Sequence, residues 1–273
     1  VVILPFPYEA TSTFGKGSSK GPQALIDASH EVELFDVVLG QETYREVGGI
    51  ATFEPYVVPS LSDGDAVSST LAQLVSGLLK AGKKVIVFGG EHTSIVGSVR
   101  AHCEHYDNLS VIQFDAHSDL RAEYQGDAWN HACAAARILD FHKDLVQVGI
   151  RSQCIEERMF QEEKGIPVFY AHQIHEDEFS GKDWIGEIIS QLRDNVYVTF
   201  DCDVFDPSVV PATGTPEPGG LTWNQVERFF ARLCKARRLV GLDVNELAPI
   251  EGMNFPQFTV AKLVYRVLGY AFS

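Results

Sequence analysis

The chain of 273 residues carries 37 Asp and Glu against 22 Lys and Arg, a formal net charge of −15. So acidic a surface repels nucleic-acid phosphate and anionic membranes, which excludes both as partners, and it suits a cationic ligand. Hydrophobic residues make up 45%, enough for a substantial core, and no apolar run approaches membrane-spanning length.

The five cysteines, Cys103, Cys133, Cys154, Cys202 and Cys234, are odd in number and scattered, with no Cys-x-x-Cys pair. That argues for free thiols in a reducing, cytoplasmic compartment rather than a disulfide framework. The apolar start at Val1 is too short for a signal-peptide core and reads as a strand; the missing initiator Met points to trimming or to residues preceding Val1.

In chain order, Val1–Leu4 is an expected strand. Glu9 to Gly21, rich in Ser, Thr, Lys and Gly, reads as a surface loop, and Gly21-Pro22 opens a helix. Val32 to Leu39 suggests a strand. Asp63 or Asp65 caps a helix whose Leu71, Leu74, Val75, Leu78 and Leu79 have helical spacing, and Gly82 ends it. From there strands and helices alternate. Expected strands are Lys84–Phe88, Leu109–Phe114, Leu145–Ile150, Pro167–Tyr170, Val196–Phe200 and Leu239–Val244. Expected helices run to about His105, then Ala132–Phe141, Gln153–Lys164, Trp184–Arg193, Thr222–Lys235 with Thr222 as N-cap, and Thr259 to about Tyr270. A polar loop is expected before Trp184. The strands are apolar over most of their length rather than alternating, the mark of a parallel sheet buried on both faces. No linker divides the chain, so residues 1–273 form one α/β domain on this reading.

Four strands end in acid or imidazole groups, at His92, Asp115, Asp201 and Glu246. In an open parallel sheet, ligands bind at the carboxyl ends of the strands. Asp115-Ala116-His117-Ser118-Asp119 is the densest of these ends, and an extended backbone would point Asp115, His117 and Asp119 to one side. Asp115, Asp119, Asp201, Asp203, His92 and His117 exceed the roughly four ligands of one zinc. Carboxylate-rich, thiolate-free donors favour two Mn²⁺. Such a pair makes hydroxide available near neutral pH, for hydrolysis of a carbon–nitrogen or phosphorus–oxygen bond.

These motifs resemble the ureohydrolases, the family of arginase and agmatinase. The resemblance rests on Gly89-Gly90-Glu91-His92-Thr93, Asp115 to Asp119, Thr199 to Pro207, Pro211 to Pro216 and Gly219-Gly220-Leu221, and extends in order from Gly21-Pro22 to Glu246. It implies a three-layer α/β/α sandwich with a parallel central sheet, two Mn²⁺ per chain, a small cationic guanidino substrate and trimeric or hexameric assembly. Residue by residue it implies His92, Asp115, Asp119 and Asp201 around one ion and Asp115, His117, Asp201 and Asp203 around the other. It makes His131 a proton shuttle, Glu246 the partner of the guanidinium, and Asp119 the donor to the leaving amine. Asp119 to Gly126, Asn130-His131-Ala132 and Gln147 to Ser152 look like the agmatinase branch. Arginases usually carry Asn where Arg121 stands, to hold the amino acid's carboxylate. The expected reaction is therefore agmatine to putrescine and urea, a step of polyamine synthesis.

Arg121 could instead hold the carboxylate of a guanidino acid, so guanidinobutyrase and arginase remain alternatives, with a zinc deacetylase of related fold more distant. Glu91, Thr93, Cys202 and Asn130 depart from the usual family residues, and only Asn130 touches the substrate question. Trp129 is placed at the substrate entrance or in packing. His172 and His175 are read as solvated, and His102, His105 and His142 as surface or cap residues.

Overall fold

The computed structural model describes residues 1–58 and 63–273. The first part of the chain forms β1 (Val2–Phe6), α1 (Gly21–Ser29), β2 (Phe35–Asp36), β3 (Gln41–Glu42), α2 (Thr43–Glu46), β4 (Ala51–Thr52), α3 (Gly64–Lys80), β5 (Val85–Gly89) and α4 (Val96–His105). The middle forms β6 (Leu109–Phe114), α5 (Ala134–Leu139), β7 (Leu145–Ile150), α6 (Ile155–Lys164), β8 (Val168–Tyr170) and α7 (Ala171–Ser180). The last part forms α8 (Trp184–Gln191), β9 (Asn195–Asp201), α9 (Trp223–Ala236), β10 (Arg238–Asn245) and α10 (Phe255–Phe272).

Eight strands make one parallel sheet in the order β4-β1-β5-β10-β9-β6-β7-β8. Both faces are covered, because alternate residues of each strand enter different cores. Ile86, Phe88, Ile112 and Phe114 pack with Leu25 of α1, Ile188 of α8, Phe229 of α9 and Val264 of α10. Val85 and Val87 face Leu71 and Val75 of α3, and Leu109 and Val111 face Val99 of α4 and Ile138 of α5. The expected sandwich is the observed one.

The helix starts follow local chemistry. Asp63 caps α3 by accepting the Ala66 N–H at 2.8 Å, and Thr222 caps α9 in a reciprocal capping box with Gln225. Three expectations fail. Val32–Leu39 is no strand of the sheet: Asp36 accepts the N–H groups of Val38 and Leu39, which turns the chain into the two-residue ribbon of β2 and β3. The stretch before Trp184 is helix α7, with only Ala171 and Ile174 buried, too few apolar anchors to show as a period. Helix α10 starts at Phe255, with Pro256 in its first turn, earlier than Thr259.

The sheet order has one functional consequence. The strands that end in the polar motifs, β5, β10, β9 and β6, are four consecutive neighbours. Residues separated by more than 150 positions therefore meet at one edge.

Candidate active site

Strand β6 ends at Phe114, and the Asp-x-His-x-Asp run leaves the sheet. Asp115 Oδ1 accepts the His117 N–H at 2.7 Å, which bends the backbone. Asp119 then takes a left-handed φ of 51°. The three side chains therefore do not share a face by simple alternation, as an extended backbone would require. They divide between two groups. Asp115 and Asp119 lie with His92, and Asp115 and His117 lie with Asp203. Asp115 belongs to both.

His92 enters from the end of β5, where Gly89 and Gly90 permit close approach: a Cβ on Gly90 would stand 2.0 Å from the Tyr8 carbonyl oxygen. His92 Nδ1 lies 3.0 Å from Asp115 Oδ2, 3.1 Å from Asp119 Oδ2 and 3.6 Å from Asp201 Oδ2. It is buried and makes no well-aligned hydrogen bond to any of them. His117 Nδ1 lies 2.9 Å from Asp203 Oδ2 and 3.7 Å from Asp115 Oδ1. Asp201 braces Asp203 by accepting its N–H at 2.8 Å.

Asp115, Asp119, Asp201 and Asp203 are all buried. No Lys or Arg side chain pairs with any of the four carboxylates among the described residues; Arg151 spends its guanidinium on carbonyl oxygens of Gly149, Asp203, Val204, Phe205, Glu217 and Pro218. The electrostatics record the imbalance. Burial pushes Asp119 up to about 7, with Asp115 adding to it. Burial, then Asp203, pushes Asp201 well above the carboxylate range. Burial opposes a charged His117, but Asp203 and Asp115 outweigh it and lift the imidazole to about 12. A crowd of buried carboxylates that must borrow protons from histidines is suited to cations, and the unaligned Nδ1 of His92 is suited to a metal.

A second layer fixes the tautomer. His92 Nε2 lies 2.8 Å from Thr199 Oγ1. Thr199 donates its hydroxyl to Asp243 Oδ1 at 2.8 Å, so it can only accept from His92. Nε2 thereby keeps its proton. Burial opposes a second proton on Nδ1, but Asp115 and Asp119 outweigh it in the metal-free protein, and Nδ1 is the nitrogen a metal would take. Asp243 is fully buried and also accepts from Tyr197, at 2.6 Å, and from Asn245.

Glu246 follows β10 with a left-handed φ of 59°, held by its N–H on the Gly90 carbonyl. Its Oε1 accepts the His92 N–H at 2.8 Å and stands 4.0 Å from His131 Nδ1. Among the described residues, two of the four non-glycine residues with positive φ are thus site residues, Asp119 and Glu246, a pattern typical of backbone held for function. His131 is half-buried at the start of a short turn before α5. Burial pushes its pKa down to about 4, with the His117 and His92 charges adding to it. Its Nε2 meets Thr13 Oγ1 at 3.0 Å, and its N–H donates to Thr11 Oγ1. Buried Glu91 holds that segment through the N–H groups of Ala10 and Thr11 and the Thr11 hydroxyl.

A cleft of about 230 Å³ opens over the cluster, lined by His117, Asp119, Asp201 and His131 together with Thr13, Arg121, Tyr124, Gln153, Glu157 and Thr215. Arg121 lies on the Tyr124 ring, 4.7 Å from its centroid. Trp129 does not line the cleft; it packs beside Gly64 at the start of α3 and against the core behind α4. His172 and His175 sit on α7, with His175 bonded to Gln225 and Gly219. His102, expected at the surface, is fully buried against Tyr197.

Several contributors escaped the sequence reading. Thr11 and Thr13 lie in what reads as a surface loop, and Thr199, Asp243 and Glu157 sit inside apolar or helical runs. Only Asp243, an acid within an otherwise apolar strand, carried a usable signal.

The arginase family model matches residues 1–269. The N(1)-aminopropylagmatine ureohydrolase of Synechocystis is 38% identical over 276 aligned positions, covering 99% of this chain and 88% of that protein. The agmatinase of Pyrococcus horikoshii is 31% identical, covering 98% and 90%. The crystal structure of agmatine ureohydrolase of Thermoplasma volcanium superposes with a TM-score of 0.86 at 29% identity, covering 98% of this chain and 88% of that one. The chain belongs to the arginase family.

Proposed function

We propose that this enzyme releases urea from a guanidino compound with a cationic tail, agmatine or its longer relative N(1)-aminopropylagmatine. The observation that carries this reading is the pair of metal-competent groups, His92 with Asp115 and Asp119 and His117 with Asp115 and Asp203, with Asp201 3.6 Å from His92 and Glu246 beside them. His92, Asp115, Asp119 and Asp201 would hold one Mn²⁺, and Asp115, His117, Asp201 and Asp203 the other. Ions bound there would lower the pKa of a water, so that hydroxide is available near neutral pH.

The chain's own residues then have separable tasks. Glu246 Oε1 is committed to the His92 N–H, which leaves Oε2 for the guanidinium of the substrate. Asp119, at the cleft wall, hands a proton to the amine as it leaves. His131 is neutral at pH 7 because burial holds its pKa near 4. Its ring, fixed by Thr13, moves protons between the cleft and solvent. The names of the Synechocystis and Pyrococcus relatives support the substrate class. So does Arg121, the one Lys or Arg lining the cleft among the described residues, whose guanidinium lies on the Tyr124 ring, 4.7 Å from its centroid. That leaves little to hold a carboxylate, which disfavours arginine and guanidino acids.

One domain spans residues 1–273, supported by a sheet that takes strands from both ends of the chain. The assembly is a trimer or hexamer, carried over from the family resemblance. The compartment is cytoplasmic, supported by five unpaired cysteines. No helix of the described residues is long and apolar enough to cross a membrane. Urea release with Mn²⁺ across agmatine, N(1)-aminopropylagmatine, arginine and guanidinobutyrate tests the reading. Turnover confined to arginine or guanidinobutyrate would overturn it.

A further inference from the structure

A second cavity, about 920 Å³, adjoins the catalytic cleft. The two share Arg121, Cys154 and Glu157 as common wall. The cavity lies between the loop after β6, helix α5 and helix α6, and Leu120, Leu139, Phe160 and Ile166 give it an apolar lining. Most of its charges are already paired. Arg137 meets Asp140 at 3.2 Å, and Lys164 meets Glu163 at 2.8 Å. Glu123 and Glu156 are exposed and have no ion-pair partner among the described residues. Lys143, also without one, lines this cavity and a further one with Asp144 and Arg193, and does not line the cleft.

The shared wall carries the argument. Glu157 is only 4% exposed, yet it borders both cavities. Its two oxygens accept the backbone N–H groups of Leu120, at 3.0 Å, and Cys154, at 2.8 Å, which fixes the carboxylate in place. Among the described residues its one ionic partner is Arg121, at a loose 3.9 Å and drawn away toward Tyr124. A rigid, buried, weakly compensated carboxylate at the junction is a place for a second cation.

We propose that this junction, with Glu157 at its centre, is a subsite for an ammonium group on the substrate's tail, and that the side cavity takes the further methylenes and terminal ammonium of a tail longer than butylamine. The inference deepens the proposed function and rests on it. The apolar lining suits methylenes, and Glu123 and Glu156 offer the terminal ammonium two free carboxylates. The enzyme is then tuned to N(1)-aminopropylagmatine over agmatine.

The test compares kcat/KM of the Mn²⁺-loaded enzyme for N(1)-aminopropylagmatine, agmatine and butylguanidine, which lacks the amine. The longest substrate should lead agmatine by roughly tenfold or more, and butylguanidine should trail both. The doubly substituted Glu123→Lys, Glu156→Lys protein, altered only at exposed positions, should lose roughly tenfold of the ratio between the longest substrate and agmatine. Equal turnover of agmatine and the longer substrate in the unaltered enzyme would overturn the subsite while leaving the hydrolase reading intact. So would a charge-reversed protein that keeps the full ratio. Urea from none of the three would sink the hydrolase reading, and the subsite with it.

Discussion

Thr199→Val removes one hydroxyl and little else, since the two side chains have nearly the same shape. The hydroxyl accepts from His92 Nε2 and donates to Asp243, each at 2.8 Å. Its loss leaves the buried His92 N–H without an acceptor and Asp243 with two donors instead of three. One unpaired buried donor costs about 1–3 kcal/mol, so the metal-free protein should be less stable by that amount. A second effect is specific to the metal. With nothing to hold the proton on Nε2, the imidazole can carry it on Nδ1, where it points at Asp115 and Asp119 and blocks coordination. Loss of such an orienting partner weakens metal binding by roughly tenfold to a hundredfold. The His117 and Asp203 group does not touch Thr199 and keeps its affinity. Titration of the apoprotein with Mn²⁺ should therefore show a strong and a weakened ion in place of two strong ones. Thr199→Ser, which retains the hydroxyl, should restore both. Two ions bound by Thr199→Val at the unaltered affinity would refute the reasoning.

His102 is fully buried, and burial lowers its pKa to about 4. The unfolded chain takes this proton near pH 6.5, so between these values it binds more protons than the fold, and stability drops as pH falls. Linkage gives a loss of about 3 kcal/mol at pH 4 relative to pH 7.5, absent in His102→Leu; parallel urea-denaturation curves against pH for the two proteins would refute the assignment. Removing divalent ions with a chelator uncovers the repulsion among four buried carboxylates, so the melting temperature should fall and recover on adding Mn²⁺. An unchanged melting temperature would count against the metal centre. Arg151→Lys replaces a fork that reaches six carbonyl oxygens with a single ammonium; about 1.5–3 kcal/mol of stability should be lost with the loop that carries Asp203, measured by denaturation. Equal stability would show that the fork does not hold that loop.

Local chemistry made much of the molecule legible from the sequence. A run such as Val85–Phe88 is apolar at every position because both of its faces are buried, and that property survives without the fold. The polar residues that follow each run stand out for the same reason, so His92, Asp115, Asp201 and Glu246 could be placed at strand ends. Caps such as Thr222 are equally local, spanning three residues. What only the tertiary structure decided depends on which distant segments become neighbours. The sheet order sets β5, β10, β9 and β6 side by side, and no periodicity encodes that order. The left-handed turn at Asp119 sends it to His92, where an extended strand would have sent it alongside His117. The loop that reads as solvated brings Thr13 to His131, and the helix that reads as ending at the surface buries His102 under Tyr197. In each case the deciding contact spans roughly a hundred residues or more, apart from the Asp119 turn, whose φ is stabilised by the partners it reaches.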